Sequence, residues 1–244
     1  MLDGWLDTAM RHRSSLLGIG WLLLPTAFFV SLIGTIFQHI MAEDVSFYLY
    51  LTCGLTIWAP INHILSGSAS CYRANRAFLL VGGLSLVTFN LKMVFQSVVH
   101  FAIQSILIVG AMILFRPGIN HEIVFSVLAF GLLLLLLFPL SVILALIGAR
   151  FRDFSEALRA FVRILFLSTP VIWSVSNTGR MAAIQVFLYV NPFFFAMELI
   201  RAPLIGEPIN HAYWLPLAGY TAAAWIVCIF LYRRLRATTT LWLL

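Results

Sequence analysis

Along the chain, apolar residues gather in long runs at 20–40, 46–70, 93–115, 122–147, 160–178 and 212–232. A helix needs about 20 such residues to cross a hydrocarbon core, so the pattern predicts six transmembrane helices. Two further apolar pieces fall short. FLLVGGLSLVTF, 78–89, is brief and holds Gly82 and Gly83, and 182–200 is broken at Asn191-Pro192, where proline removes a backbone donor and turns the preceding residue away from helix. The first reads as a loop or short helix on the inner face. The second, taken over 182–205, reads as a re-entrant hairpin between spans five and six, a shape tolerated only where protein or a water-filled cavity covers it. In residues 1–15, Leu2, Trp5, Leu6, Ala9 and Met10 fall on one helical face and Asp3, Asp7, Thr8, Arg11 and His12 on the other, the spacing of a helix lying in the membrane interface. The expectation is an all-α membrane protein with a single transmembrane domain over 1–244.

Charge sets the orientation, because Lys and Arg concentrate in cytoplasmic loops. With six spans, Arg11, Arg13, Arg73, Arg76, Lys92, Arg150, Arg152, Arg159, Arg163, Arg233, Arg234 and Arg236 lie inside, and only Arg116, Arg180 and Arg201 outside. Letting 78–89 alone cross would place the arginines of 148–163 outside, and letting 182–200 alone cross would do the same to the terminal RRLR. Both termini are therefore expected in the cytoplasm. Composition agrees: 62% of residues are hydrophobic and 10% charged, against roughly 25% charged in soluble domains, with a mean hydropathy of +1.00. The net charge of +6 sits at the ends of apolar runs, which fits anionic lipid headgroups and excludes nucleic acid as a partner. Cys53, Cys71 and Cys228 form no CxxC and point to neither a disulfide framework nor zinc. The N-terminus carries no cleavable signal pattern.

One polar stretch stands out. Six of the chain's charges, Arg150, Arg152, Asp153, Glu156, Arg159 and Arg163, crowd into GARFRDFSEALRAFVR, 148–163. Asp153 or Ser155 can cap a helix beginning there, with Glu156 in its favourable first turn, so the stretch reads as a charged elbow leading into the fifth span. Catalytic motifs are absent: there is no GxxxxGK[ST], no HExxH and no GxSxG, and the six histidines have no ligand spacing. Glu43, Asp44 and Glu122 fall at the outer ends of spans. Asn62 and His63 are polar within a span, where an ionisable group is a candidate for function and a histidine paired to a backbone carbonyl is the plain structural alternative. Glu198 and Arg201, three apart, share a helical face and can pair.

RHRSSLLGIGWLLLP (12–25, without its first Arg), GLTIWAPINHILSGSASCYRAN (54–75), GARFRDFSEAL (148–158), STPVIW (168–173) and YVNPFFFAMELIRAPLIGEP (189–208) resemble the ABC-2 type polysaccharide export permeases. The O-antigen, or lipopolysaccharide transport, branch is the nearest, with capsule and teichoic-acid exporters as relatives. The likeness covers nearly the whole chain. ARFRD, TPVIW and the NPF…E…RAPLIG run are its most specific parts, and His12 stands where relatives carry a tyrosine. The resemblance implies a homodimer in the bacterial inner membrane, joined by two copies of a separate ATPase that binds ATP and Mg, with no cofactor in this chain. It implies that the 72–90 loop, a short coupling helix with Arg73, Asn75, Arg76, Phe78, Leu79 and Leu80, and the elbow with Arg150, Arg152 and Asp153 meet that ATPase. It implies a channel for a glycan carried on a polyprenyl pyrophosphate lipid. Trp58, Asn62, Trp173, Asn191, Pro192, Phe193, Phe194, Phe195, Glu198 and Arg201 are candidates for its wall or outer gate. The aromatic members have packing as their alternative, and Asn191, Pro192, Glu198 and Arg201 a stapled hairpin. Export of a capsule, teichoic acid, drug or small lipid, a secondary transporter and a membrane enzyme remain competing classes; the short external loops speak against the drug type.

Arg11 and Arg13 sit at headgroup level, where a pyrophosphate would come in. Replacing both with Gln is expected to lower export, measured as surface glycan, more than it lowers the amount of protein in the membrane; equal losses would leave them as anchors.

Overall fold

The computed structural model describes residues 18–41, 46–81, 85–115, 118, 121–173 and 188–242. The interfacial helix expected over 1–15, with Arg11 and Arg13, and the first limb of the hairpin lie outside these residues. Among those described there is no strand. The helices are α1 (Leu24–Met41), α2 (Ser46–Ala74), α3 (Arg76–Val81), α4 (Leu86–Phe115), α5 (Ile123–Arg150), α6 (Phe154–Ser168), α7 (Pro192–Ile205) and α8 (Trp214–Trp242), with 3-10 turns at Gly18–Leu22 and His211–Tyr213.

Among the described residues, four helical stretches are long and apolar enough to cross a membrane: Gly20–Phe37, Leu86–Phe115, Ile123–Arg150 and His211–Thr239. The run at 46–70, and that at 160–178 over its described part to residue 173, fold differently from plain lipid-facing spans. Helix α2 has 29 residues, about 44 Å of helix, and packs against α1, α3, α4, α5, α6 and α7. Surrounded in this way, it holds Thr52 and Ser68 inside the bundle, each hydroxyl donating to the carbonyl one turn back, Thr52 to Tyr48 (2.7 Å) and Ser68 to Ile64. Helix α6 has 15 residues, about 22 Å. Thr169, ahead of Pro170, is forced into an extended conformation and ends it.

The expected start of the third span at 93 moves back to Leu86, and Arg76–Val81 of the preceding loop forms a separate helix. Asn90, within the added turns, is buried and bonded on both sides. Its side-chain carbonyl accepts from the Tyr72 hydroxyl (2.7 Å) and its amide donates to Ser141 Oγ (3.1 Å), which donates in turn to the Phe138 carbonyl (2.7 Å). A buried polar side chain that is hydrogen-bonded to its neighbours does not interrupt a helix. This chain of bonds ties α2, α4 and α5 together. A second tie follows from proline. Pro139 inside α5 has no N–H to give the Leu135 carbonyl, and Trp225 of α8 supplies the missing donor through its indole N–H at 2.9 Å.

The core lies along α2 and α5, where Ile57, Ile61 and Ile64 cluster with Leu133, Leu136 and Leu137, and Tyr72 with Val142 and Leu146. Large apolar side chains such as Phe28, Leu114, Val127 and Ile226 are exposed on the outside of the bundle, the surface a lipid solvent accepts. The tightest crossing is between α5 and α2. A Cβ on Gly148 would press into the Ala69 carbonyl and come within 2.6 Å of its Cα, so the GAR motif opens with glycine because the backbones touch.

Gly148→Val is expected to destabilise the bundle by about 2 kcal/mol or more through overpacking against immovable backbone, read as a lower thermal midpoint in detergent. Gly219→Ala in α8, with nothing within 4 Å of the new methyl, is expected to leave the midpoint nearly unchanged.

Candidate functional site

The residues singled out by the sequence collect at the two ends of α6. At its start, α5 stops at Arg150 and Phe151 turns extended. Arg73, in the last turn of α2, reaches across and donates to the carbonyls of Phe151 and Arg152 (both 3.2 Å) and to Ser155 Oγ (3.0 Å). The Ser155 hydroxyl donates to the Arg152 carbonyl at 3.0 Å. The guanidinium thus satisfies carbonyls that the helix break would leave unpaired. Asp153 occupies the N-cap position, but its side chain makes no capping bond, and Ser155 is occupied with Arg73 and Arg152. The capping expected of these two residues is corrected accordingly. Glu156 lies in the first turn of α6 as expected.

The nine proposed coupling residues separate into two groups. Leu79 is buried in a cluster with Tyr72, Leu86 and Phe89, and Asn75 folds its amide back onto the Cys71 carbonyl (2.8 Å), so both serve the bundle. Arg76, Arg150, Arg152 and Asp153 are exposed, and Arg150 also lies over the Trp242 ring, 5.4 Å from its centroid. Phe78 is 65% exposed, and Leu80 falls on the same short helix. Sequence reasoning missed Phe151, 60% exposed between Arg150 and Arg152. An apolar side chain flanked by charges at a helix junction was the available signal. Two exposed aromatic side chains, Phe78 and Phe151, thus lie beside exposed arginines in the chain, Arg76, Arg150 and Arg152.

At the other end of α6, TPVIW is non-helical and is held by groups from α2 and α7. Arg201 is 1% exposed. It donates to the Pro170 carbonyl at 2.6 Å, pairs with Glu198 of its own helix, and lies 3.8 Å over the Tyr50 ring. A buried guanidinium is costly unless its charge and its donors are all met, and here carboxylate, carbonyl and aromatic face surround it. The Tyr50 hydroxyl donates to the Trp173 carbonyl (2.9 Å), and the Asn191 amide donates to Thr169 Oγ1 (2.7 Å). Asn191 also caps α7, accepting from the Phe193 N–H at 3.0 Å with Pro192 next in the first turn. A Cβ on Gly54 would come within 2.5 Å of the Val171 carbonyl, so α2 touches the TPVIW backbone directly. The two motifs STPVIW and NPFFFAMELIRAPLIG are thus halves of one joint.

The aromatic candidates pack within the chain. Trp58 is buried against Phe166 and Phe193, with ring centroids at 5.5 and 6.4 Å. Phe194 and Phe195 are buried with Tyr189, Tyr213 and Tyr220. These rings are core rather than channel wall in the single chain. Trp173 is half-buried, its indole donating to the Leu167 carbonyl at 3.0 Å, and Asn62 is exposed, accepting from Ser66 at 3.1 Å. No group of three or more His, Cys, Asp or Glu able to hold a metal occurs among the described residues.

No protein-family model matches the chain. Over 196 residues it is 24% identical to the O-antigen export system permease protein RfbA of Myxococcus xanthus, covering 79% of this chain and 74% of that one. The matching relative is thus an export permease, and the four apolar helices agree with a membrane protein. The family resemblance carried by ARFRD, TPVIW and the NPF…E…R run is borne out: the chain is a homologue of an O-antigen export permease, the branch of the ABC-2 type polysaccharide exporters that its motifs resemble.

Proposed function

We propose that this chain is the transmembrane subunit of an ATP-driven exporter that moves a lipid-linked polysaccharide, an O-antigen, across the bacterial inner membrane. It works as a homodimer of six-span subunits with both termini in the cytoplasm. Two copies of a separate ATPase, which alone binds ATP and Mg, dock on the end of the bundle formed by α3 and the elbow. The glycan arrives on a polyprenyl pyrophosphate lipid, with Arg11 and Arg13 at its headgroup. The chain itself carries no catalytic group.

The observation that carries this reading is the construction of that end. Arg73 locks the α2–α3 turn to the elbow, so a push on either element moves both, while Phe78 and Phe151 project outward as apolar knobs among Arg76, Arg150 and Arg152. An aromatic and arginine surface of this kind is the composition that protein partners use as anchors. The motion would pass along α6 to the Arg201 joint, so that Glu198, Arg201, Asn191 and Pro192 act as a rigid outer hinge. Asn62, with its polar face exposed, is the candidate wall residue that remains available to a passing sugar.

Phe78→Asp combined with Phe151→Asp is expected to reduce the ATPase co-purifying in mild detergent by about ten-fold or more, as loss of anchor residues does, with the protein level in the membrane unchanged. Arg73→Gln is expected to leave more ATPase bound than that pair does while lowering export of surface glycan. Full ATPase recovery with both aromatic changes would place the docking surface elsewhere, and absence of any co-purifying ATPase from the unaltered protein would refute the reading as a whole.

A further inference from the structure

Helix α6 carries two arginines on a face that lipid does not readily accept. Ser155, Leu158 and Val162 are buried against the bundle, while Glu156, Arg159, Ala160, Arg163 and Leu167 on the opposite side are exposed. The sequence reading puts Arg159 and Arg163 in the charged elbow. The helix instead runs unbroken from Phe154 to Ser168, so Arg163 stands about 14 Å along it, nearer the TPVIW joint than the elbow. Around it Phe161, Ile164 and Leu167 are exposed, members of the apolar run 160–178 expected as the fifth span. Arginine within such a run is costly on a lipid-facing surface and as a rule looks into a bundle or a water-filled cavity. Exposed on the single chain, this pair therefore borders water or a charged ligand rather than hydrocarbon.

The chemistry of the pair defines what it would hold. Arg159 and Arg163 are one helical turn apart, about 5–6 Å between Cβ atoms, where like charges repel. Arg163 Nε donates to the Arg159 carbonyl at 3.4 Å, which lays that guanidinium along the helix toward its neighbour. Among the described residues neither guanidinium has an ion-pair partner, and Glu156, one turn nearer the elbow, pairs with neither. Ala160, on the same face, adds only a methyl group beside the two heads. An anion shared by both removes the repulsion, and the planar fork of a guanidinium matches phosphate oxygens two at a time. In a membrane the anions at hand are the phosphates of lipid headgroups.

We infer, resting on the export function proposed above, that Arg159 and Arg163 form a binding site for the phosphate groups of a lipid, set along α6 beyond the elbow, where the pyrophosphate of the glycan carrier is held as it passes. Native mass spectrometry of the full chain in neutral detergent tests it, with a polyprenyl pyrophosphate, the uncharged polyprenol or phosphatidylglycerol as probe. The unaltered protein is expected to retain the pyrophosphate over the polyprenol. Arg159→Gln combined with Arg163→Gln is expected to lose about ten-fold or more of that retention, and Arg234→Gln, in the terminal basic run, to keep it. If the double variant does not reach the membrane, Arg159→Gln alone, which leaves the Arg163 bond to the backbone in place, is expected to lose several-fold. Phosphatidylglycerol held as tightly as the pyrophosphate, and released by the same pair of changes, would keep the site and assign it to membrane phospholipid. Equal retention of the pyrophosphate by the folded variants and the unaltered protein would overturn the inference. ATPase recovery in a mild-detergent pulldown separates this from the exporter reading: ATPase present with retention unchanged faults the site alone, and ATPase absent with retention still dependent on the arginines faults the exporter reading alone.

Discussion

Helix α6 is broken off at both ends, and at each break an arginine from another helix takes up backbone carbonyls that the helix cannot satisfy. Arg73 does so for Phe151 and Arg152, and Arg201 for Pro170. In a hydrocarbon environment an unpaired carbonyl costs several kcal/mol, so a chain that leaves the helical path at two places must bring donors to both. The guanidinium is suited to this because its N–H groups form a fixed fork that serves several acceptors at once. Much of the remaining architecture follows from these two contacts. They hold α2 against the elbow, hold α7 against TPVIW, and make α6 a strut of about 22 Å with both feet clamped.

The two clamps differ in chemistry because they differ in surroundings. Arg73 is partly exposed and its partners are carbonyls and a hydroxyl, an arrangement that can give way and re-form beside water. Arg201 is sealed, and its charge is met by Glu198 and its face by the Tyr50 ring. The low dielectric there strengthens each of these contacts and penalises the loss of any one. One end of the strut is thus built to move with its surface and the other to stay fixed, the division of labour that a permease driven from one side of the membrane would use.

Much of this was legible in the sequence. Apolar run lengths and charge content indicated an all-helical membrane protein, the Asn-Pro dipeptide marked the start of α7, and the spacing of Glu198 and Arg201 gave their pairing, because all of these are local. The Arg73 contact was not legible, since nothing in a single sequence joins residue 73 to residues 151, 152 and 155. The start of α4 at Leu86 was not legible, since nothing in a single sequence joins Asn90 to Tyr72 and Ser141. The aromatic residues carried two readings from the sequence, channel wall or packing, and within the single chain Trp58, Phe193 and Phe194 are packed. In a membrane protein both lipid-facing and core positions are apolar, so aromatic character does not say which way a ring points.

The most direct test of the two-clamp account is hydrogen–deuterium exchange of the purified protein with Arg201→Gln. The amides of 169–173 should exchange about ten-fold faster or more, while those of 151–155, held by Arg73, and of the core of α5 stay as they are. Unchanged exchange at 169–173 would mean that the TPVIW joint stands without its arginine, and the account of α6 as a strut clamped at both ends would be wrong.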